Sequence, residues 1–125
     1  MTGAQIKYLL TMYRMQNDKG IRLKDIAAEM KISKPSVYQM IGQLGKLGLT
    51  ESDSRGCYAL TEVGAAAAAE YSGQYQILCG YFAEQLGLQP GSADAAAASL
   101  LAIDGEILEE LCSSIQTHGG TKAAG

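Results

Sequence analysis

A chain of 125 residues that is 47% apolar can bury one core or two small ones, and no apolar run reaches the roughly 18 residues of a membrane helix. Met1 to Tyr13 does not read as a signal peptide, and three cysteines without CxxC or CxxH spacing argue against a disulfide framework or a zinc site, so a reducing cytoplasm is expected. The net charge of −3 is uneven: residues 1–60 hold nine basic and five acidic side chains, residues 61–125 one basic and eight acidic, so a polyanion can dock only on the first half.

Along the chain, Ile6, Leu9, Leu10 and Tyr13 recur at helical spacing and predict a helix over 4–16. Asn17-Asp18-Lys19-Gly20 is a stop and turn. A short extended piece, Ile21-Arg22-Leu23, leads into a second helix at about 24–30, with Ile26, Ala27 and Met30 on one face. After the tight Lys31-Ile32-Ser33 connection, Ser33 is a good N-cap for a third helix at about 34–47. Pro35 falls in its first turn, where the missing N–H does no harm, and Gly48 ends it. Leu49-Thr50-Glu51 and Cys57–Leu60 flank Ser52–Gly56, a loop of turn formers, and predict a hairpin. Thr61 caps a long helix with Glu62 in its first turn, extended here to about Leu86, with Gly73 and Gly80 as places where it bends or breaks. Its stripe is Tyr71, Tyr75, Leu78 and Phe82. Ser92 is expected to cap a short alanine-rich helix to about Leu101. Asp104 is expected to cap a last helix with Ile107, Leu108, Leu111 and Ile115 on one face, and His118 to Gly125 reads as a disordered tail.

Leu23 to Leu47 therefore holds two unequal helices joined by a three-residue turn, the helix-turn-helix pattern, in which the second helix enters the major groove. On a wheel of about 100° per residue, Val37, Met40, Ile41 and Leu44 face the core. Pro35, Gln39, Gly42 and Lys46 fall opposite, flanked by Ser36, Tyr38 and Gln43. No acid occurs from Ser33 to Thr50, whereas an ordinary solvated helix mixes Glu with Lys. Hydroxyls, amides and lysines suit base edges and phosphates: Gln pairs with adenine, Ser bonds any base, and Ser33 with the free N–H groups of the first turn holds a phosphate. The hairpin is the wing, and Arg55 at its tip suits a phosphate or the minor groove. Ser33, Lys34, Pro35, Ser36, Tyr38, Gln39, Gln43, Lys46 and Arg55 are the candidate DNA-binding residues.

DIAAEMKISKPSVYQMIGQLGKLGL, followed by YALTEVG, resembles the iron- and manganese-dependent repressors related to the diphtheria toxin repressor, although MarR-like winged helices share parts of it. YFAEQLGL is similar to the start of that family's dimerisation domain, and the resemblance covers about residues 5–115. It implies that Ser33, Pro35, Ser36 and Gln39 lie against DNA and that the long helix and the two after it form a homodimer, with Tyr71, Tyr75, Leu78 and Phe82 as candidate contacts. It also implies a regulatory Mn or Fe ion. The matching ligand positions, however, fall near Lys7, Leu10, Gln76, Ala98, Leu101 and Ala102, none of which offers the carboxylate or imidazole these ions prefer. Cys79, Cys112, Glu106 and Glu110 are the available substitutes; no metal ligand is assigned.

The expected fold is mainly α: a winged helix-turn-helix of three helices and a β-hairpin wing over 1–62, a helical dimerisation domain over 63–116 and a disordered tail over 117–125. The expected function is a cytoplasmic, homodimeric, sequence-specific transcriptional regulator, a repressor, that binds double-stranded DNA and no membrane, with metal sensing lost or altered. Two alternatives differ in class. One is a winged-helix regulator switched by cysteine oxidation, at Cys57 on the wing for instance, or by a small ligand; the other is a winged-helix module that binds protein. An enzyme is not expected, because HExxH, GxSxG and a glycine-rich phosphate loop are missing and the single histidine sits in the tail.

Overall fold

The computed structural model describes residues 1–124, and side chains through residue 118. The chain divides into two compact units, residues 4–69 and residues 70–125 together with 1–3.

In the first unit, α1 (Gly3–Met15) places Tyr8, Leu9 and Met12 in the core. The Asn17 carboxamide accepts from the Lys19 amide at 2.8 Å, and the Gly20 amide donates to the Asn17 carbonyl at 3.3 Å, closing the expected turn. The extended piece is β1 (Ile21–Arg22), and α2 (Leu23–Met30) buries Ile26 and Ala27. Lys31 ends α2 in the left-handed conformation at φ 57°, which turns the chain sharply enough for α3 (Lys34–Lys46) to start three residues later. Val37, Ile41 and Leu44 are buried, and Met40 packs half-buried against the same core, as the wheel requires.

The wing comprises β2 (Thr50–Ser52) and β3 (Cys57–Leu60), antiparallel, with Thr50 opposite Leu60 and Ser52 opposite Tyr58. The sequence missed a third partner: β1 pairs with the other side of β3, Ile21 opposite Tyr58, so β3 is the central strand of three. Two residues are too short to show a strand period, so only the fold reveals this pairing. The buried Thr50 hydroxyl donates to the Ile41 carbonyl at 3.0 Å, fastening the sheet to α3.

Thr61 caps α4 (Glu62–Gly80) by accepting from the Gly64 amide at 3.0 Å, and its hydroxyl donates to the Gly48 carbonyl at 2.6 Å. Gly64 is required here. A Cβ on it would lie 1.9 Å from the Leu49 carbonyl oxygen.

In the second unit α4 runs to Gly80 and continues directly into one π-helical turn, Tyr81–Gln85, so the helical path ends close to the expected Leu86, with Gly80 itself in the right-handed helical conformation. The α5 helix spans Pro90–Leu100 and starts two residues before the expected Ser92 cap. Proline is pre-set for the first helical position, so Gln89 takes the cap position. Asp104 caps α6 (Gly105–Ala124), its carboxylate accepting from the Glu106 and Ile107 amides at 3.0 and 3.3 Å. The packed face of α6 is Leu108, Leu111, Cys112 and Ile115, at the 3-4 spacing of one stripe, whereas Ile107 is exposed, a correction to the expected set. Leu78, Ala93, Ala97, Leu101 and Leu108 are buried, the alanines giving α5 a slim packing face. Thr117 and His118 lie in α6, and the remainder of the expected tail falls outside the residues whose side chains are described. Among the described residues, no helix is long and apolar enough to cross a membrane.

Candidate nucleic-acid interface

The candidate site is the outer face of α3. Ser33 caps the helix: the Ser36 amide donates to its Oγ at 3.4 Å, and that hydroxyl donates to the Ser36 Oγ at 2.9 Å. The two serines thus form one polar group at the helix N-terminus, where the helix dipole favours an anion. Lys34, Pro35, Ser36, Tyr38, Gln39, Gln43 and Lys46 are all exposed, as is Ser33. Tyr38 is an exposed aromatic at 63%. Among the described residues neither Lys34 nor Lys46 holds an ion pair; the two pairs present are Arg14–Glu29 at 2.7 Å and Arg55–Asp53 at 3.2 Å.

Arg55 is placed less freely than the sequence implied. Its guanidinium donates to the Asp53 carboxylate at 3.2–3.3 Å and to the Lys19 carbonyl at 3.3 Å, tying the wing tip to the turn before β1. Asp53 also accepts from the Cys57 and Arg55 amides at 2.9 and 2.8 Å. Those bonds, Cys57 first and then Arg55, hold its carboxyl below the usual carboxylate range, against an opposing effect of burial. Asp53 therefore organises the wing tip, a role outside the candidate residues of the sequence. The Asp-Ser-Arg-Gly order of a side-chain-capped turn was the available signal.

In the second unit, Leu78 of the expected dimer stripe is fully buried within its own protomer, and Tyr71, Tyr75 and Phe82 are half-buried. The Tyr75 hydroxyl donates to the Asp94 carboxylate of α5, which, ahead of burial and the nearby Cys79, pushes its phenol well up from the ordinary value. The Phe82 ring meets Tyr81 edge-on, centroids 5.8 Å apart.

The residues expected from the resemblance at metal-ligand positions offer no donor suited to a hard divalent ion. Lys7 is an exposed ammonium, Gln76 an exposed amide, and Leu10, Ala98, Leu101 and Ala102 have no donor side chain. Among the described residues, no three His, Cys, Asp or Glu side chains gather as a possible metal site, so Cys79, Cys112, Glu106 and Glu110 are not brought together as one. All three cysteines are free thiols. Cys57 and Cys112 are buried, and burial pushes the Cys112 thiol up, away from the thiolate that oxidation requires.

Residues 2–56 match the family described as iron dependent repressor, N-terminal DNA binding domain. No curated protein matches the chain. Among solved structures, a hypothetical protein from Sulfolobus solfataricus superposes with a TM-score of 0.71 at 20% identity, over 94% of this chain and 91% of that one. The manganese regulator SloR superposes with a TM-score of 0.76 at 22% identity, over 91% of this chain and 54% of that one. The metal-dependent transcriptional regulator MtsR gives 0.76 at 22% identity, over 94% and 55%. The chain thus spans about half the length of these two regulators. It resembles the iron-dependent repressor family, by sequence across the DNA-binding domain at residues 2–56 and by a winged-helix fold that continues into the helices beyond it.

Proposed function

We propose that this chain is a sequence-specific, DNA-binding transcriptional regulator, a repressor that acts in the cytoplasm as a homodimer and no longer depends on Mn or Fe in the manner of the family. The observation that carries this reading is the exposed, acid-free face of α3, with Ser33, Lys34, Pro35, Ser36, Tyr38, Gln39, Gln43 and Lys46 outward and Val37, Ile41 and Leu44 inward. In the major groove, Ser36, Gln39 and Gln43 read base edges, while the Ser33 cap, Lys34 and Lys46 take phosphates. Arg55 reaches the backbone or the minor groove from the wing when it exchanges Asp53 for a phosphate.

Two copies associate through the stripe carried by α4 and the π turn that follows it. Tyr71, Tyr75 and Phe82 supply its surface, and Leu78 supports it from inside the protomer. Such a dimer presents two α3 helices to half-sites about one helical turn apart, which requires a pseudo-palindromic operator. The ligand positions filled by Lys7, Leu10, Gln76, Ala98, Leu101 and Ala102 support the loss of metal control, because an ammonium and alkyl groups replace anionic donors.

The test is selection from a pool of random duplexes, with Mn²⁺ or Fe²⁺ present or with a chelator. A pseudo-palindrome enriched to a similar degree in every arm is the expected result. No enriched duplex removes the DNA reading, and enrichment only with metal overturns the loss of metal control.

A further inference from the structure

Two glycines lie within α3, and the fold requires neither of them. A Cβ on Gly45 would lie 3.5 Å from the Thr50 hydroxyl oxygen and 3.8 Å from the Thr50 carbonyl oxygen, in ordinary contact with β2. A Cβ on Gly42 would meet no atom within 4 Å, and the Gly42 backbone does not enter the left-handed region. Alanine therefore fits at 42, and it would favour the helix, because glycine loses more conformational freedom in a helix interior than any other residue. Gly42 is also placed where the proposed contact is closest. At about 100° per residue it falls about 20° from Pro35, between Tyr38 on one side and Lys46 and Gln39 on the other. The open space around the missing side chain lies on the outer face of α3, toward whatever meets the helix from outside.

We infer that Gly42 is a specificity-determining position: its bare backbone lets α3 seat deeply in the major groove, so that Ser36 and Gln39 reach the base edges. The inference rests on the DNA reading proposed above. A helix with its side chains is about 10–12 Å across and the groove is about 12 Å wide, so the residue at the centre of the inserted face sets the depth. One added carbon holds the helix off by up to about 1.5 Å, a carbon–carbon bond length. Base-edge hydrogen bonds operate only between about 2.7 and 3.2 Å, so that displacement breaks a two-point contact between Gln39 and adenine. Phosphate contacts from Lys34 and Lys46 survive it, because long flexible side chains follow the backbone of the duplex. A side chain at 42 thus removes the discrimination between sequences and spares the general attraction to DNA.

The experiment uses the full chain, the duplex it enriches from a random pool, a scrambled duplex of equal length, and the variants Gly42→Ala and Gly42→Leu. Gly42→Ala is expected to raise the melting temperature by a few degrees and to weaken binding to the enriched duplex about tenfold, the scale of one base contact. Gly42→Leu is expected to lose more, and binding to the scrambled duplex is expected to stay within about twofold for both, as phosphate contacts dictate. A variant that binds the enriched duplex as tightly as the wild type overturns the role of Gly42 and leaves the DNA reading standing. An equal loss on both duplexes, or a lowered melting temperature for Gly42→Ala, also overturns it. A wild type that enriches no duplex removes the DNA reading itself, and the inference with it.

Discussion

Gly64→Ala is expected to destabilise the winged helix, and the size of the effect follows from one contact. The new Cβ would lie 1.9 Å from the Leu49 carbonyl oxygen, 2.8 Å from its carbonyl carbon and 3.1 Å from its Cα. Ordinary carbon–oxygen contact is near about 3.4 Å, so α4 and the Leu49 peptide must part by roughly 1.5 Å. Neither is free to move. The Thr61 amide donates to that same Leu49 carbonyl at 3.0 Å, and the Thr61 hydroxyl holds the adjacent Gly48 carbonyl at 2.6 Å. Breaking the first bond costs about 1 kcal/mol, and forcing a methyl into a packed site costs about 1–3 kcal/mol more. The gain of about 0.5–1 kcal/mol from alanine in a helix offsets part of this, leaving a net loss of about 2 kcal/mol. Urea unfolding followed by circular dichroism measures it, and for a unit of this size the melting temperature should fall by about 10 °C. An unchanged or raised urea midpoint would refute the argument. Gly42→Ala is the internal comparison, since the same substitution in open space is expected to act in the opposite direction.

Gln39→Ala should weaken binding to the enriched duplex by about 1–3 kcal/mol and relax base preference at one position, measured by titration against single-base variants; an equal loss on every sequence would reduce Gln39 to a backbone contact. Phe82→Asp should convert the dimer to a monomer in light scattering, because it buries a charge in the proposed apolar contact, and an unchanged mass would move the interface elsewhere. Asp53→Asn bears on acid stability. The Asp53 carboxyl titrates below its ordinary range in the folded protein, so its contribution is present above the unfolded-state value and is lost as the pH falls through the lowered one. The urea midpoints of the wild type and Asp53→Asn should therefore differ at pH 7 and converge in acid, whereas a constant gap would show that the carboxylate charge is immaterial.

The amino-acid order alone determined what depends on local chemistry. Ser33 before Pro35, the apolar spacing of Val37, Ile41 and Leu44, and the acid-free run from Ser33 to Thr50 together specify a short helix with one core face and one bare polar face, because helix capping and 3.6-residue periodicity act within a few residues. Thr61 as a cap and the end of the long helix near Leu86 were legible for the same reason. Contacts between residues distant in sequence were decided by tertiary structure. The pairing of Ile21-Arg22 with β3, the contact of the Arg55 guanidinium with the Lys19 carbonyl, the burial of Leu78 within its own unit and the exposure of Ile107 all depend on what the fold brings alongside. The glycines show both halves of this division. Their positions are plain in the sequence, yet only the space around a missing Cβ separates Gly64, which the fold requires, from Gly42, which it does not.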